Sequence, residues 1–360
     1  MRDVVIIGAG QAGLSVAYYL QQRKIDALVI ERFANVGDTW RQRYDSLMLF
    51  TPSQYSGLPA FPVPLPPDRY LTKDQIANYF EAYSKWFHFD IALSTTVNRV
   101  ARSGDFFEVH TSTGIVKTKA VVAATSALNG PYIPEFAANL NPRIFQIHSS
   151  SYRNPDQLPP GDVLVVGVGN SGAQIAEELA ATREVYMSFE NMAKVRPQRR
   201  LGMDIFWWAK VTGQWGKVVK SNRPEQISES ANRIEKKRLR RSMALIGSAL
   251  PKLLEDGRIK RKGRAVAARN GNIVFADSSE LAPTNIVWGT GFSHDFDWID
   301  LPTFDHSGFP LHTRGVSQEP GLYFIGLPFL HTLTSTVIGY VGEDAKYLVS
   351  QIAGFLRSPS

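Results

Sequence analysis

The feature that most constrains this chain occurs twice. Near the N-terminus, Val4–Ile7 runs into Gly8-Ala9-Gly10-Gln11-Ala12-Gly13; later, Val163–Val166 runs into Gly167-Val168-Gly169-Asn170-Ser171-Gly172. Each is a short apolar strand, a G-x-G-x-x-G turn and a helix with one apolar side. Leu14, Ala17, Tyr18 and Leu20 mark that side in the first helix, and Ile175, Ala176 and Leu179 in the second. A second strand follows in both, Ala27–Ile30 before Glu31 and Val185–Phe189 before Glu190. In both cases the acid lies 23 residues beyond the first glycine.

The physical roles of these residues are distinct. The first glycine permits the tight turn, the second lets the backbone approach a pyrophosphate, and the third lets helix pack on strand. The helix start offers unpaired N–H groups and a positive dipole end to an anion. The acid suits a ribose 2′-hydroxyl. The expected fold class is therefore α/β, with two Rossmann-like dinucleotide-binding domains. One unit would keep its dinucleotide and the other exchange it. FAD at the first turn and a nicotinamide coenzyme at the second, with hydride passing between them, is the economical reading.

Composition narrows the chemistry. The 360 residues are enough for one large or two moderate domains. Net charge is +7, but no nucleic-acid-binding motif accompanies it, so no nucleic-acid partner is expected. There is no cysteine, which removes disulfides, thiolate metal sites and the redox thiols of disulfide reductases and of single-cysteine NADH peroxidases. The seven histidines show no ligand spacing, so no metal is expected. No run approaches the roughly 18 apolar residues of a membrane span. The N-terminal apolar stretch is too short for a signal peptide. A cytoplasmic protein is expected.

The repeat implies that one unit is inserted in the other. The expected partition is residues 1–155 for the first part of the FAD domain, 156–282 for the nicotinamide domain and 283–360 for the rest of the FAD domain. Asn285–Trp288 would open the return. The linkers are His148 to Pro160 and Leu281 to Thr284. A hairpin is expected from Phe106–Thr111 and Ile115–Val121 around Ser112–Gly114. Arg223–Lys252 reads as a strongly basic helix. It is either a membrane or nucleic-acid patch or a solvated face, and the lack of interleaved aromatics favours the solvated face. His331-Thr332-Leu333-Thr334-Ser335-Thr336 precedes an expected helix over Val337–Leu356. Its start is either aimed at a flavin pyrimidine edge or is a plain cap.

Further stretches carry a family resemblance. They are Gly37-Asp38-Thr39-Trp40, Arg43-Tyr44-Asp45-Ser46-Leu47, Phe50-Thr51-Pro52, Val121–Thr125, His148…Tyr152, Arg199–Trp208, Val287–Phe292 and Gly321–Gly326. Over nearly its whole length the chain resembles the flavin-containing monooxygenases, especially compact bacterial members. The resemblance implies that NAD(P)H reduces FAD and that O2 adds at flavin C4a. The resulting hydroperoxide would oxygenate a small soft nucleophile such as a thioether or amine, or insert oxygen beside a ketone. The partners implied are thus a small-molecule substrate and O2. Cofactor positions implied are Gly8, Gly10, Gln11, Ala12, Gly13, Glu31, Arg32, Asp38, Thr39, Trp40, Ala124, Thr125, Gly291 and Val337. In the second unit they are Gly167, Gly169, Asn170, Ser171, Gly172, Glu190, Arg196 and Arg199. Phe50 and Thr336 are the candidates nearest the chemistry.

The chain also departs from the family pattern. Pro142 and Ile144 replace Phe-x-Gly, Tyr152-Arg153 replaces Trp-Pro, and Ser126 ends the first Ala-Thr-Gly motif. Leu49-Phe50-Thr51-Pro52 lacks an asparagine that many members place beside the flavin. An NAD(P)H oxidase releasing peroxide, a reductase feeding another acceptor, and a non-enzymatic flavoprotein regulator are the alternatives. Glu190 stands where many NADPH-using relatives have arginine, which implies NADH or relaxed use of both coenzymes. Against this, Lys194, Arg196, Arg199 or Arg200 could take a 2′-phosphate while Glu190 faces solvent. His148 and Tyr152 read either as a hinge or as linker packing. Trp40 reads as a cofactor-side wall, and Trp207 and Trp208 as pocket wall or interface core. A homodimer is compatible with the sequence, which shows no interface seam.

Overall fold

Val163–Val166 and Asn285–Trp288 are buried at every position, as parallel strands covered on both faces must be. The computed structural model describes residues 1–126, 130–192, 194–216, 218, 244–293, 295–306, 308–332 and 334–357. Two parallel-cored sheets organise them, and each is built around one of the strands that enter a glycine turn.

In the first sheet Arg2–Ile7 lies between Ala27–Ile30 and Gly114–Ala123, all parallel. Ile91–Ala92 extends one side and Leu322–Phe324 the other. The hairpin partner Phe106–Thr111 pairs antiparallel with Gly114–Ala123 and with Val97–Ser103. The turn is tighter than expected, because Thr111 pairs directly with Gly114. The helices Gln11–Gln22 and Val341–Phe355 pack on each other over this sheet. Leu14, Val16 and Leu20 of one helix, and Leu348, Val349 and Ile352 of the other, are buried there.

The second sheet is parallel throughout, in the order Phe145–His148, Asn285–Trp288, Val163–Val166, Val185–Ser188, Ile259–Lys262. Asn285–Trp288, expected to open the return to the first unit, instead pairs with Phe145–His148 and Val163–Val166 in this sheet. Its buried Ile-Val-Trp run needs cover on both faces, which an inner strand provides. The helix Asn170–Leu179 covers one face with Ala173, Ile175, Ala176 and Leu179.

Two expected helices differ. Of Arg223–Lys252, residues 223–243 lie outside the described residues. The remainder is not one helix: Leu245–Ile246 is a strand and Leu250–Glu255 a separate short helix. The C-terminal helix begins at Val341, after Tyr340, rather than at Val337. Successive turns occupy the residues before it, with Val337 N–H donating to Thr334 O and Tyr340 N–H to Val337 O. At Gly339 a Cβ would stand 2.2 Å from Tyr55 O, so the chain there is pressed against another backbone and cannot carry a regular helical side chain.

One edge of the first sheet has a pH signature. The His312 ring sits between Phe309 and Phe324, and its Nδ1 accepts the Gly315 N–H at 3.2 Å. Burial lowers its pKa from the ordinary histidine value to about 4. A histidine held neutral in the fold stabilises it above pH 6.5, and that stability is lost as pH falls toward 4. His312→Gln should therefore flatten the stability loss between pH 7 and pH 4 by about 3 kcal/mol. Urea unfolding of both proteins at the two pH values checks this.

Candidate active site

The first turn is built by steric necessity. Gly8 has φ +105°, and Gly13 lies so close to it that a Cβ would stand 1.9 Å from Gly8 O. Gly10 is the opposite case. A Cβ there meets nothing within 4 Å, and no side chain caps the helix that starts after it. The turn thus leaves open backbone N–H groups and an unfilled space at the helix start. Gln11 and the buried Ala12 open that helix, with Gly326 packed against Ala12. Glu31 is buried and anchored, accepting from Ala9 N–H at 2.8 Å and Phe33 N–H at 3.1 Å. These bonds aim its carboxylate at the turn and leave lone pairs for a hydroxyl donor.

The second turn repeats this geometry. Gly167 also has φ +105°, Gly172 would place a Cβ 2.3 Å from Gly167 O, and Gly169 is open. Asn170 and Ser171 start an uncapped helix. Equivalent loops close over the two turns: Ala124 O approaches Gly8, and Gly289 O approaches Gly167. The Ala124-Thr125 and Gly289-Thr290-Gly291 segments are therefore structural counterparts.

The acids are not counterparts. Gly8 N–H donates to Ile30 O and Gly167 N–H to Ser188 O, so Ser188 takes the place of Ile30. The next residues confirm it, because Glu31 N–H bonds the neighbouring strand at Ala92 O and Phe189 N–H does so at Lys262 O. Phe189, buried, occupies the Glu31 position. Glu190 lies one residue further on, exposed, with its carboxylate unbonded among the described residues. The equal spacing of 23 conceals a connection that is one residue shorter up to the strand end.

Other expected residues fall into three groups. Asp38 is locked by Asn35 and Arg41, with Trp40 half-buried beside it and Thr39 exposed. Arg32 is exposed over the Phe33 ring. Arg196 is exposed on a two-residue strand, and Arg199 is already paired with Asp68 at 3.2 Å. Thr336 is exposed and Val337 half-buried, four residues ahead of the helix that was expected to start there. Ser335 Oγ instead accepts from the His331 and Thr332 N–H groups, so the local hydroxyls cap a separate turn.

Several side chains join the two units. Tyr44, from the first unit's chain, is buried in the second unit's core, and its hydroxyl bonds Gln174 at 2.6 Å. Burial pushes that phenol up to about 12. His148 Nε2 lies 2.9 Å from Gly291 O, and within the second unit Tyr152 donates to Glu178 at 2.8 Å. Burial lowers the His148 pKa. Arg43 is largely enclosed over the Phe292 ring, with Arg32 and Arg153 as like-charged neighbours. Phe50 stacks on Phe206, 6.0 Å between centroids, and Phe206 meets Trp215, which also touches Tyr55 and Tyr340.

This aromatic wall was not legible in the sequence. The adjacent Trp207 and Trp208 pack on each other, while Phe206 is buried. The available signal was Asp204, which caps the helix Ile205–Val211 through Phe206 N–H and also accepts from Tyr70 and Gln198. That cap sets where the helix starts, with Phe206 in its first turn. No metal-binding cluster of His, Asp or Glu occurs among the described residues. No helix among them is long and apolar enough to cross a membrane.

Fold and turns together define a two-unit dinucleotide-binding protein of the Rossmann type. Residues 5–205 match the family model described as pyridine nucleotide-disulphide oxidoreductase, and the chain belongs to that family and is an oxidoreductase. An uncharacterized CzcO-like oxidoreductase of Geobacillus kaustophilus is 42% identical over 97% of this chain and 98% of its own length. A rice indole-3-pyruvate monooxygenase is 27% identical over 89% of this chain and 86% of its own. A solved flavin-containing monooxygenase from Stenotrophomonas maltophilia superposes with TM-score 0.78 at 21% identity, covering 99% of both chains.

Asp344, in the first turn of the last helix, is the odd charge of this region. It is 1% exposed, and neither carboxylate oxygen has a hydrogen-bond partner of normal geometry among the described residues. Burial pushes its pKa up to about 6, outweighing Ser335 and Arg314. A raised carboxyl pKa gives stability that is full below pH 3.8 and lost as pH rises through 6. Asp344→Asn should therefore raise stability at pH 7.5 by about 1–3 kcal/mol, with the gain vanishing near pH 4. Paired urea titrations at those two pH values read the effect.

Proposed function

We propose that the chain is an FAD-dependent monooxygenase that uses a nicotinamide coenzyme and O2 to oxygenate a small soft nucleophile or a ketone. The observation that carries this reading is the pair of matched cradles, each with an open second glycine under a closing loop. The first would hold FAD and the second the coenzyme. The nicotinamide unit then runs from Phe145–His148 to Asn285–Trp288, and the strands on either side of it in sequence form the FAD unit. When bound, the flavin supplies hydride acceptance and the activation of O2.

The chain's own residues bind and orient. Backbone N–H groups after Gly10 and Gly169 would hold the two pyrophosphates. Glu31, fixed by Ala9 N–H, would accept a ribose hydroxyl. Arg43, enclosed beside like charges, suits an anion passing between the units. The wall of Phe50, Phe206, Trp215, Tyr55 and Tyr340 would keep water from the reacting face. Thiol–disulfide exchange by this chain is excluded, since it has no cysteine.

A peroxide-releasing oxidase is the second reading. It is favoured by the segment beside Phe50, which carries no asparagine and where the buried Thr51 Oγ1 accepts from Ser56 Oγ at 3.0 Å.

Two alanine variants test the assignment of the turns. Gly10 and Gly169 have backbone conformations that alanine adopts, so both variants should fold with little change in Tm. Gly10→Ala should lose FAD. Gly169→Ala should keep FAD but no longer be reduced by coenzyme. The reverse pattern, or no effect, would overturn the assignment. For the reaction itself, anaerobically reduced enzyme is mixed with oxygenated buffer in a stopped-flow instrument. A transient absorbance distinct from the reduced and oxidised forms supports the monooxygenase. Direct reoxidation, with peroxide equal to the coenzyme consumed, supports the oxidase.

A further inference from the structure

The residue at the Glu31 position decides what the second unit can recognise. An acid there accepts a free ribose 2′-hydroxyl, whereas a cation nearby accommodates a 2′-phosphate. The second unit has Phe189 at that position, with no acceptor to offer. Its ring is covered by a guanidinium: Arg261 Cζ lies 4.9 Å from the Phe189 centroid.

Arg261 comes from the neighbouring parallel strand Ile259–Lys262, where it pairs with Met187. Its Nη2 donates to Glu190 O at 3.0 Å. It is thus held on one face by an aromatic ring and at one corner by a backbone carbonyl. Guanidinium carries five N–H donors, so most stay available. The strand's other cations are committed elsewhere. Lys260 pairs with Glu184, and Lys262 faces Tyr186 and Phe275 on the opposite side of the sheet. Arg261 has no acidic partner among the described residues, and it stands at the carboxyl end of the sheet, where dinucleotides bind in such folds. Glu190 takes part through its carbonyl, which orients Arg261, while its carboxylate stays exposed.

We propose that Arg261, stacked on Phe189, receives the 2′-phosphate of NADPH, and that the second unit prefers NADPH to NADH. The proposal rests on the reading of that unit as the nicotinamide site. It replaces the expectation of relaxed coenzyme use drawn from Glu190. Among the cations considered earlier, Arg199 is engaged by Asp68, whereas Arg261 belongs to no sequence motif and lies 71 residues from Glu190.

The test measures nucleotide binding to the FAD-loaded protein by titration calorimetry, using 2′,5′-ADP and 5′-AMP as probes. Wild type should bind 2′,5′-ADP about tenfold or more tightly than AMP, the scale of a charge-assisted contact. Arg261→Ala and Arg261→Gln should bring that ratio to about one, chiefly by weakening 2′,5′-ADP, in protein that still unfolds in one thermal transition. Arg261→Lys should keep part of it, since the charge remains but the fork is lost. In steady state the same variants should raise KM for NADPH by a larger factor than KM for NADH. A ratio that survives Arg261→Ala overturns the assignment of Arg261 while the nicotinamide reading stands. A loss that is equal for both probes also overturns it. If wild type binds neither probe, the nicotinamide reading falls, and Arg261 with it.

Discussion

The space that a methyl group would fill governs this molecule. At Gly13 and Gly172 the helix lies so tightly over its turn that a Cβ would stand 1.9 Å and 2.3 Å from the carbonyls of Gly8 and Gly167. Any other residue would lift the helix off the strand. The helix start would then no longer face the loop after the adjacent strand, and the space left at Gly10 and Gly169 would be lost. Two helices, two sheets and both candidate pockets follow from those approaches.

The units are joined by specific side chains as well as by chain connectivity. Tyr44 is buried in the second unit's core and bonds Gln174, while Asn154 donates to Asp45 from the linker. His148 ties the strand Phe145–His148 to the loop at Gly291, close to the enclosed Arg43. Phe50 and Phe206 stack across the units at another point. The linker histidine and tyrosine are both buried and hydrogen-bonded in this structure.

The charge distribution at the site is uneven. Asp344 is buried, with Ser335 and Arg314 too weak to offset the burial, and Arg43 is largely enclosed near Arg32 and Arg153. A buried charge without full compensation costs stability. Glu31, by contrast, is fully integrated through two backbone donors.

Sequence by itself determined the α/β class, both glycine turns, and the strands Ala27–Ile30, Val163–Val166 and Asn285–Trp288. It did so because those elements depend on local pattern, namely aliphatic runs and glycines whose missing side chains have no substitute. It also excluded thiol chemistry, since no fold can supply an absent cysteine. Tertiary structure decided the rest. Asn285–Trp288 joined the second sheet because a wholly apolar strand needs two covered faces, and sequence order does not say which sheet provides them. The last helix starts only at Val341, after successive turns in which Gly339 lies against the Tyr55 backbone. Glu190 missed the Glu31 position because hydrogen-bond register, not residue count, sets which side chain follows a strand. The guanidinium over Phe189 came from a strand far along the chain, and only the folding of the sheet brings the two together.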